Sequence, residues 1–438
     1  MKSARQIAFE VLIKMHRNNA YSNIELDSAL KNSGLDKRDC ALAANLVYGV
    51  LERLITIDYN IEKHLTGKIN KLKPEVLVIL RLGAYQILFS DKIPNSAAVN
   101  ESVKLAKNNR CSFASGLCNA VLRAISKDGL LLPDNTDKAE HLSVKYSFPR
   151  WLCELWQKSY GEDNAEGIMK TAAEKPPIYI KVNNLKTTPD KLIEIFRDEG
   201  VTAKRVKNYE NSLKISDTGD IEELNSYKMG LFHVQDLASQ LCAEALEAKE
   251  NMTVFDVCSA PGGKAFSVAE YMNNKGLIKA FDIHEHRVKL INNGAERLGI
   301  SIIEGKTGDA EKYESSYGLA DRVLCDVPCS GLGIVRRKPE IRYKEKILID
   351  KLPLLQYRIL ENASNYVKPS GRLIYSTCTL NPAENEEVCK KFLKNHKEFK
   401  SVKPLNNGFC NDDCGYITLM PHLHGTDGFF IAAFERLD

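Results

Sequence analysis

The chain has 438 residues, of which 44% are hydrophobic and 27% are charged, with a net charge of +4. Its length exceeds what one hydrophobic core usually serves, so the sequence predicts two or three domains. Arg81 interrupts the longest apolar stretch, and no stretch reaches the roughly 18 apolar residues of a membrane span. Because Arg5, Glu10 and Lys14 interrupt the apolar N-terminus, it predicts an amphipathic helix and not a signal peptide. We therefore expect a cytoplasmic protein that has no membrane partner.

The distribution of cysteines and charges indicates the redox state of the thiols and the kind of binding partner. The 12 cysteines are scattered, mostly in apolar runs, which favours reduced thiols over a disulfide framework. Residues 1–135 carry 19 Lys and Arg against 13 Asp and Glu, an excess of +6 that leaves −2 for the rest. A basic front part is typical of a domain that meets nucleic-acid phosphates, although so small a surplus also fits an ordinary solvated surface.

Residues 1–135 predict an all-helical domain. Between residues 3 and 126 the apolar residues recur at intervals of three and four, as on the buried face of a helix. These positions are Ile7, Val11, Leu12, Leu42, Leu46, Val50, Leu54, Val76, Leu80, Gly83, Ile87, Leu117, Val121, Leu122 and Ile125. The polar segment LLPDNTDK then predicts a linker.

Two α/β parts are predicted after the linker. Residues 140–230 contain an aromatic-rich helix and then an alternating strand that leads into Thr188 and Pro189, a favourable helix start. We expect a small α/β module there. From residue 231 to 438, short apolar strands such as TVFDV and DRVLCDV alternate with helices. That alternation predicts a Rossmann-like domain with a mostly parallel, seven-stranded sheet, whose ligands bind beyond the carboxyl ends of the strands.

The segment TVFDVCSAPGGKAF predicts a cofactor loop between a strand and a helix. Gly262 and Gly263 allow close approach of the backbone to a ligand, and the helix N-terminus offers unpaired N–H groups. Asp282 ends the next strand, where a carboxylate can accept hydrogen bonds from a ribose, and Asp309 could approach an adenine in the same way. The loop is neither a P-loop nor GxGxxG, so S-adenosylmethionine suits it better than NAD. Both aspartates could instead be ordinary loop or cap residues.

Two cysteines are predicted at the same edge of that sheet. The fourth strand ends in LCDVPCSG, which contains Asp326 and Cys329, and the fifth ends in YSTCT, which contains Cys378. A thiolate is suited to conjugate addition at C6 of a cytosine, a step that activates C5 toward a sulfonium methyl group. One cysteine would form the adduct while the second assists proton removal or release, and Asp326 would hold the cytosine edge. The alternative is that either cysteine is a small apolar filler.

Three further segments give weaker indications of a helix start, an RNA contact and a metal site. Asn381-Pro382-Ala383-Glu384 predicts a capped helix start after Cys378. The run IVRRKPEIRYK offers basic side chains to an RNA path, or equally forms a solvated loop; they are Arg336, Arg337, Lys338, Arg342 and Lys344. Cysteines and histidines near the C-terminus suggest zinc, but no second CxxC pair supports it, and we expect no metal. Those residues are Cys410, Cys414, His422 and His424.

The segments DVCSAPGGK, DVPCSG and STCTLNPAENE resemble the Nol1/Nop2/Sun family of RNA cytosine-C5 methyltransferases, as does the entry segment GLFHVQDLASQL. The helical front, with LRLGAYQILF and ASGLCNAVLRAI, is similar to the NusB-like RNA-binding domain. The likeness covers nearly the whole chain. One mild departure is Cys258-Ser259-Ala260, which retains small residues.

The resemblance implies roles that the spacing leaves open. It makes Cys378 the nucleophile, Cys329 the residue that aids product release, and residues 140–230 an RNA-recognition extension. It also implies S-adenosylmethionine as cofactor and 16S ribosomal RNA as partner, and we expect a monomer. The implied cofactor contacts are Cys258, Ser259, Ala260, Pro261, Gly262, Gly263, Lys264, Asp282, Asp309 and Asp326.

Two other function classes remain open at this point. One is a nonenzymatic RNA-binding or ribosome-assembly protein, against which the intact glycines and cysteines argue. The other is an enzyme with the same cofactor but a protein or amine substrate, which Cys329 in place of an aromatic residue disfavours.

Overall fold

The computed structural model describes residues 2–18, 22–405 and 415–438. It divides into two compact units, Met1–Glu174 with Arg337–Lys344, and Lys175–Arg336 with Glu345–Asp438. The boundaries at residues 135–140 and 230–231 stay predictions.

The first unit is built from helices. Its long helices are α1 (Ala4–Asn18), α2 (Ser22–Lys31), α3 (Lys37–Glu52), α4 (Leu54–Lys63), α5 (Pro74–Phe89), α6 (Asn95–Asn108), α7 (Ser115–Asp128), α8 (Lys138–Tyr146), α9 (Arg150–Tyr160) and α10 (Glu162–Thr171). Apart from Gly83, the positions predicted from the three-and-four spacing form its core or pack against it. Gly83 allows α5 to approach α6 and α7 closely, because a Cβ there would lie 2.5 Å from Leu122 Cδ1 and 2.7 Å from Ser102 Oγ.

One late segment of the chain belongs to this first unit. Arg337–Lys344 contains a short 3₁₀ helix, Pro339–Tyr343, and the guanidinium of Arg342 donates to the carbonyl oxygens of Glu52, Tyr146 and Ser147. Arg342 is 1% exposed and its guanidinium stacks on Phe148. Arg342 is therefore a packing residue, and the prediction that it is available to RNA is wrong.

No single described helix is both long and apolar enough to cross a bilayer. The helices α3 and α4 pass that test only as a pair, with a bend of 76° between them.

The second unit opens with a four-stranded antiparallel sheet. The strands β1 (Ile178–Val182), β2 (Thr202–Val206), β3 (Tyr209–Ser216) and β4 (Phe232–Val234) lie in the order β2-β3-β1-β4. Helix α11 (Pro189–Asp198) begins as predicted, with Thr188 accepting a hydrogen bond from the Lys191 N–H and Pro189 in the first turn. The helix buries Leu192 and Phe196 against the sheet.

The remainder of the second unit is a larger α/β layer structure. The short helix α12 (Asn225–Lys228) precedes β4 and packs with the four-stranded sheet. The helices of the larger structure are α13 (Leu237–Ala245), α14 (Gly263–Tyr271), α15 (Glu285–Leu298), α16 (Lys346–Ile349), α17 (Leu352–Ser364), α18 (Glu386–Asn395) and α19 (Pro421–His424). Its strands are β5 (Thr253–Asp256), β6 (Leu277–Asp282), β7 (Ile303–Thr307), β8 (Ala320–Asp326), β9 (Val367–Thr377), β10 (Phe399–Val402), β11 (Tyr416–Leu419) and β12 (Phe429–Arg436).

The strand order is β10-β12-β9-β8-β5-β6-β7. The strands β5 to β9 pair in parallel, whereas β12 is antiparallel to β9 and β10. The expected fold class is confirmed. One difference is an eighth strand, β11, which pairs with β12, because its four residues are too short to give a periodic signal.

Candidate active site

The first site feature is the shared carboxyl edge of the parallel strands. From β5 the chain adds β6 and β7 on one side of the sheet and then β8 and β9 on the other side. The loops after β5 and β8 therefore leave in opposite directions, and a ligand crevice opens between them at the end of the sheet. The register aligns Asp326, at the end of β8, with Ser376 near the end of β9. The loops that follow β5, β6, β8 and β9 therefore leave the sheet at the same edge.

Two thiols from different loops lie in contact at this edge. The Sγ atoms of Cys329 and Cys378 are 3.0 Å apart, so one S–H can donate to the other sulfur. Hydrogen bonding to Cys378 and then burial raise the pKa of Cys329 well above its usual value, and the charges of Cys378, Glu384 and Asp326 act in the same direction. Either sulfur can be the donor in this contact, so the geometry alone does not distinguish the two thiols.

Most other described cysteines are inaccessible. Burial raises the pKa of Cys242 to about 12, and it also raises the pKa values of Cys325 and Cys389. All three are buried and behave as small apolar groups. Only Cys329 and Cys378 form a thiol pair among the described residues.

Asp326 is held from two directions beside the thiols. Its Oδ2 accepts from Lys264 Nζ at 2.7 Å, and its Oδ1 accepts from Ser376 Oγ at 2.7 Å. Burial lowers the pKa of the Lys264 ammonium, but Asp326, Cys242 and Asp256 together outweigh burial and raise that pKa above its usual value. The carboxylate is consequently fixed in orientation while keeping lone pairs for a further donor.

The glycine loop forms the turn from β5 into α14. Gly262 has a φ of +106°, which favours glycine, and a Cβ there would lie 2.5 Å from the Phe266 ring. Helix α14 begins at Gly263. Its first N–H groups are therefore available to an anionic group.

Asp282 has a partner that the sequence argument did not anticipate. Its Oδ1 accepts from the His284 N–H at 3.0 Å, and its Oδ2 pairs with Arg287 at 2.9 Å. Arg287 also donates to the carbonyl oxygen of Ala260 at 2.9 Å, so it joins β6 to the glycine loop. Arg287 lies five residues after Asp282, a spacing that belongs to no known motif, so the sequence did not indicate this ion pair.

A small cavity, partly open to solvent, lies between β6, the loop after β7 and α17. Its lining is partly aromatic, with Phe281, Tyr317 and Tyr366, and partly polar, with Asp309 and Asn362. The Glu311 N–H and the Lys312 ammonium hold the pKa of the Asp309 carboxyl below its usual range. A flat heteroaromatic ring with exocyclic donors is the kind of group such a lining accepts.

The residues present fit S-adenosylmethionine. Gly308 lines the cavity without a side chain, and a Cβ there would lie 3.1 Å from Phe281 Cδ1. The aromatic cavity suits adenine, the Asp282 carboxylate suits the ribose hydroxyls, and the start of α14 suits the carboxylate of the amino acid part.

The other sequence predictions have mixed outcomes. Arg336 is buried and donates to the Thr426 carbonyl, so it is not offered to RNA as predicted. Of the zinc candidates, Cys410 and Cys414 lie outside the described residues, and within the described ranges no metal-binding group of three or more ligands occurs. The predicted capped helix is a 3₁₀ turn, Pro382–Glu384, and α18 begins only at Glu386.

The sheet order and the loop geometry define a methyltransferase of the Rossmann-like class. The model for the 16S rRNA methyltransferase RsmB/F family matches residues 243–435, the NusB family model matches 2–127, and a ferredoxin-like domain model of RsmF/B-like methyltransferases matches 148–222. The chain belongs to the ribosomal RNA small subunit methyltransferase B family, which confirms the resemblance.

Individual relatives cover the whole chain. It is 37% identical to a probable ribosomal RNA small subunit methyltransferase B of Bacillus subtilis over 99% of both chains, and 35% identical to a Synechocystis protein of the same description over 100% of both. Among solved structures, a methyltransferase homolog protein from Pyrococcus horikoshii shares 27% identity with a TM-score of 0.60, covering 69% of this chain and 100% of that one.

Proposed function

We propose that this protein methylates C5 of a cytosine in 16S ribosomal RNA, with Cys378 as nucleophile and Cys329 assisting release. The observation that carries the proposal is the 3.0 Å contact between the two Sγ atoms beside the fixed carboxylate of Asp326. An amine methyltransferase needs no nucleophile, whereas C5 of cytosine is unreactive until a nucleophile adds to C6.

The proposed chemistry assigns a step to each side chain. The Cys378 thiolate adds to C6, which forms an S–C6 bond and moves an electron pair toward C5 and N3. Asp326 accepts a hydrogen bond from the cytosine N4–H or from a protonated N3 and so stabilises that charge. The glycine loop, Asp282 and the cavity beside Asp309 would hold S-adenosylmethionine, whose sulfonium would supply the methyl group to C5 and become a neutral thioether as its S–CH3 bond breaks.

Release requires the reverse of the addition. A solvent water accepts the C5 proton, the electron pair of the C5–H bond re-forms the C5–C6 double bond, and the S–C6 bond breaks to return Cys378 as a thiolate. Cys329 assists by donating its S–H to the departing sulfur, a role that suits its raised pKa and the contact between the two Sγ atoms. The two cysteines are thus predicted to have opposite effects when removed.

The test is adduct trapping with RNA that contains 5-fluorocytidine. The fluorine cannot leave as a proton does, so the wild-type protein should form an RNA-linked species that survives denaturing electrophoresis. Cys378→Ala should form none, and Cys329→Ala should form a linked species even with ordinary cytidine RNA. An adduct in Cys378→Ala would reverse the two roles, and none in any form would favour the assembly-factor alternative.

A further inference from the structure

A buried carboxylate joins the two cysteine loops. Glu384 has no exposed surface, although it lies in the 3₁₀ turn after β9 and touches none of the residues assigned above to the cofactor. Burying a carboxylate is costly unless several donors compensate it, so the identity of its donors shows what holds it in place.

The donors to Glu384 come from three separate segments. Its Oε2 accepts from the Ser330 N–H at 2.8 Å and from Gln356 Nε2 at 2.9 Å. Its Oε1 accepts from Ser330 Oγ at 2.5 Å and from Asn381 Nδ2 at 3.0 Å, with Thr379 Oγ1 at 3.4 Å. Backbone and amide N–H groups can only donate, so both oxygens serve as acceptors.

Glu384 contacts the residue that directly follows each cysteine. Ser330 follows Cys329 and Thr379 follows Cys378, and their hydroxyl oxygens are themselves 2.7 Å apart. Gln356 of α17 adds a second link, because its Nε2 also donates to the carbonyl oxygen of Pro328, just before Cys329. The carboxylate therefore fixes one loop against the other at the two positions that set the separation of the thiols.

Local helix capping does not explain why the Glu384 carboxylate is buried in these contacts. Asn381 Oδ1 already accepts from the Ala383 N–H, and Asn385 closes the same turn by accepting from Thr377 Oγ1 and donating to the Thr379 carbonyl. In a capping box a glutamate reaches back to the backbone of its own cap residue. Here its partner Ser330 is 54 residues earlier in the chain.

The charge of Glu384 has a second consequence. It is among the groups that raise the pKa of Cys329, after hydrogen bonding to Cys378 and burial. A negative charge fixed near Cys329 opposes loss of the proton from that sulfur.

We propose that Glu384 is a positioning residue that holds the loops of Cys329 and Cys378 together. This inference rests on the proposed function, because it explains how the proposed thiol pair is held in place. It adds a residue that acts on the reaction through both cysteines without touching the substrate.

The first test compares Glu384→Gln with Glu387→Gln. Glu387 lies three residues later and is exposed, so its variant removes the same charge outside the network. We expect Glu384→Gln to lower kcat about 100-fold, as for a misplaced reacting pair, with unchanged affinity for S-adenosylmethionine. Wild-type kcat in Glu384→Gln would overturn the inference.

The second test needs no RNA. In a Cys378→Ala background, the rate of iodoacetamide alkylation of the Cys329 peptide is followed by mass spectrometry against pH. Adding Glu384→Gln should move its midpoint to lower pH, while adding Glu387→Gln should not. An unmoved midpoint contradicts the electrostatic role, whereas a wild-type protein that makes no 5-methylcytidine contradicts the proposed function alone.

A milder variant covers the case in which Glu384→Gln does not fold. Ser330→Ala removes one hydroxyl donor and leaves the backbone N–H to the carboxylate. It should bind S-adenosylmethionine as the wild type does and show a smaller loss of kcat in the same direction. A Ser330→Ala protein with wild-type kcat would count against the inference.

Discussion

Single residues at the carboxyl edge act by fixing one another. Lys264 of α14 and Ser376 of β9 both bind Asp326, and Arg287 connects Asp282 to the glycine loop. Charge-assisted hydrogen bonds of this kind are about twice as strong as neutral ones. The site is thus rigid before any ligand binds, which lowers the entropy lost on binding.

Arg287 gives a prediction at this scale. Arg287→Met should weaken S-adenosylmethionine binding about tenfold, because it frees the Ala260 carbonyl and leaves the buried Asp282 carboxylate without its cation. Isothermal titration measures the Kd. The matched control is Lys289→Met on the same helix, whose ammonium is exposed and pairs with Glu285. Equal Kd values for the two variants would contradict this role.

The sequence predicted that Asp326 and the two cysteines lie at one edge of the sheet, where the structure has them, but it did not predict their partners. The loop, the acidic strand ends and both cysteines could be read from DVCSAPGGK, DVPCSG and STCT, because each motif is local. Arg287 and the role of Glu384 could not, since their partners are defined by contacts across the sheet edge. The N-P-x-E pattern predicted a cap, and tertiary contacts turned its glutamate toward Ser330 instead.

At the scale of elements, α14 connects the cofactor loop to the small antiparallel sheet. Its N-terminus faces the ligand crevice, while Ser267 and Glu270 meet a buried polar cluster. Ser267 Oγ donates to Gln235 at 2.7 Å, and His233 Nδ1 lies 3.8 Å from Glu270. Burial raises the pKa of Glu270 to about 8 against the opposing charge of Lys181, and burial lowers the pKa of His233 to about 3.

The raised pKa of Glu270 predicts a pH-dependent stability. A carboxyl that binds its proton more tightly when folded stabilises the protein below the unfolded pKa of 4.5, and this contribution is lost as pH rises toward about 8. Glu270→Gln cannot ionise, so its Tm relative to wild type should increase between pH 5 and pH 8 by at least about 2 °C. Scanning fluorimetry checks this. The control Glu296→Gln, at an exposed position, should show a constant difference; a falling Tm difference for Glu270→Gln would refute the assignment.

On the scale of the whole molecule, the chain order and the spatial units differ. Periodicity predicted the helical front and the parallel sheet, but the segment Arg337–Lys344 belongs to the first unit although its neighbours in sequence belong to the second. No local pattern in IVRRKPEIRYK shows that Arg342 is buried, because its acceptors are backbone carbonyl oxygens. Exposed basic residues do occur in the first unit, where Lys73 lies over the exposed ring of Phe113.

The central claim is the transfer of a methyl group to C5 of cytosine in ribosomal RNA. Its most direct test is incubation of the protein with tritiated S-adenosylmethionine and unmodified 16S ribosomal RNA, followed by digestion and nucleoside analysis. We predict that the label is found in 5-methylcytidine and is lost with Cys378→Ala. Label in another nucleoside, or no label in any RNA, would contradict the account.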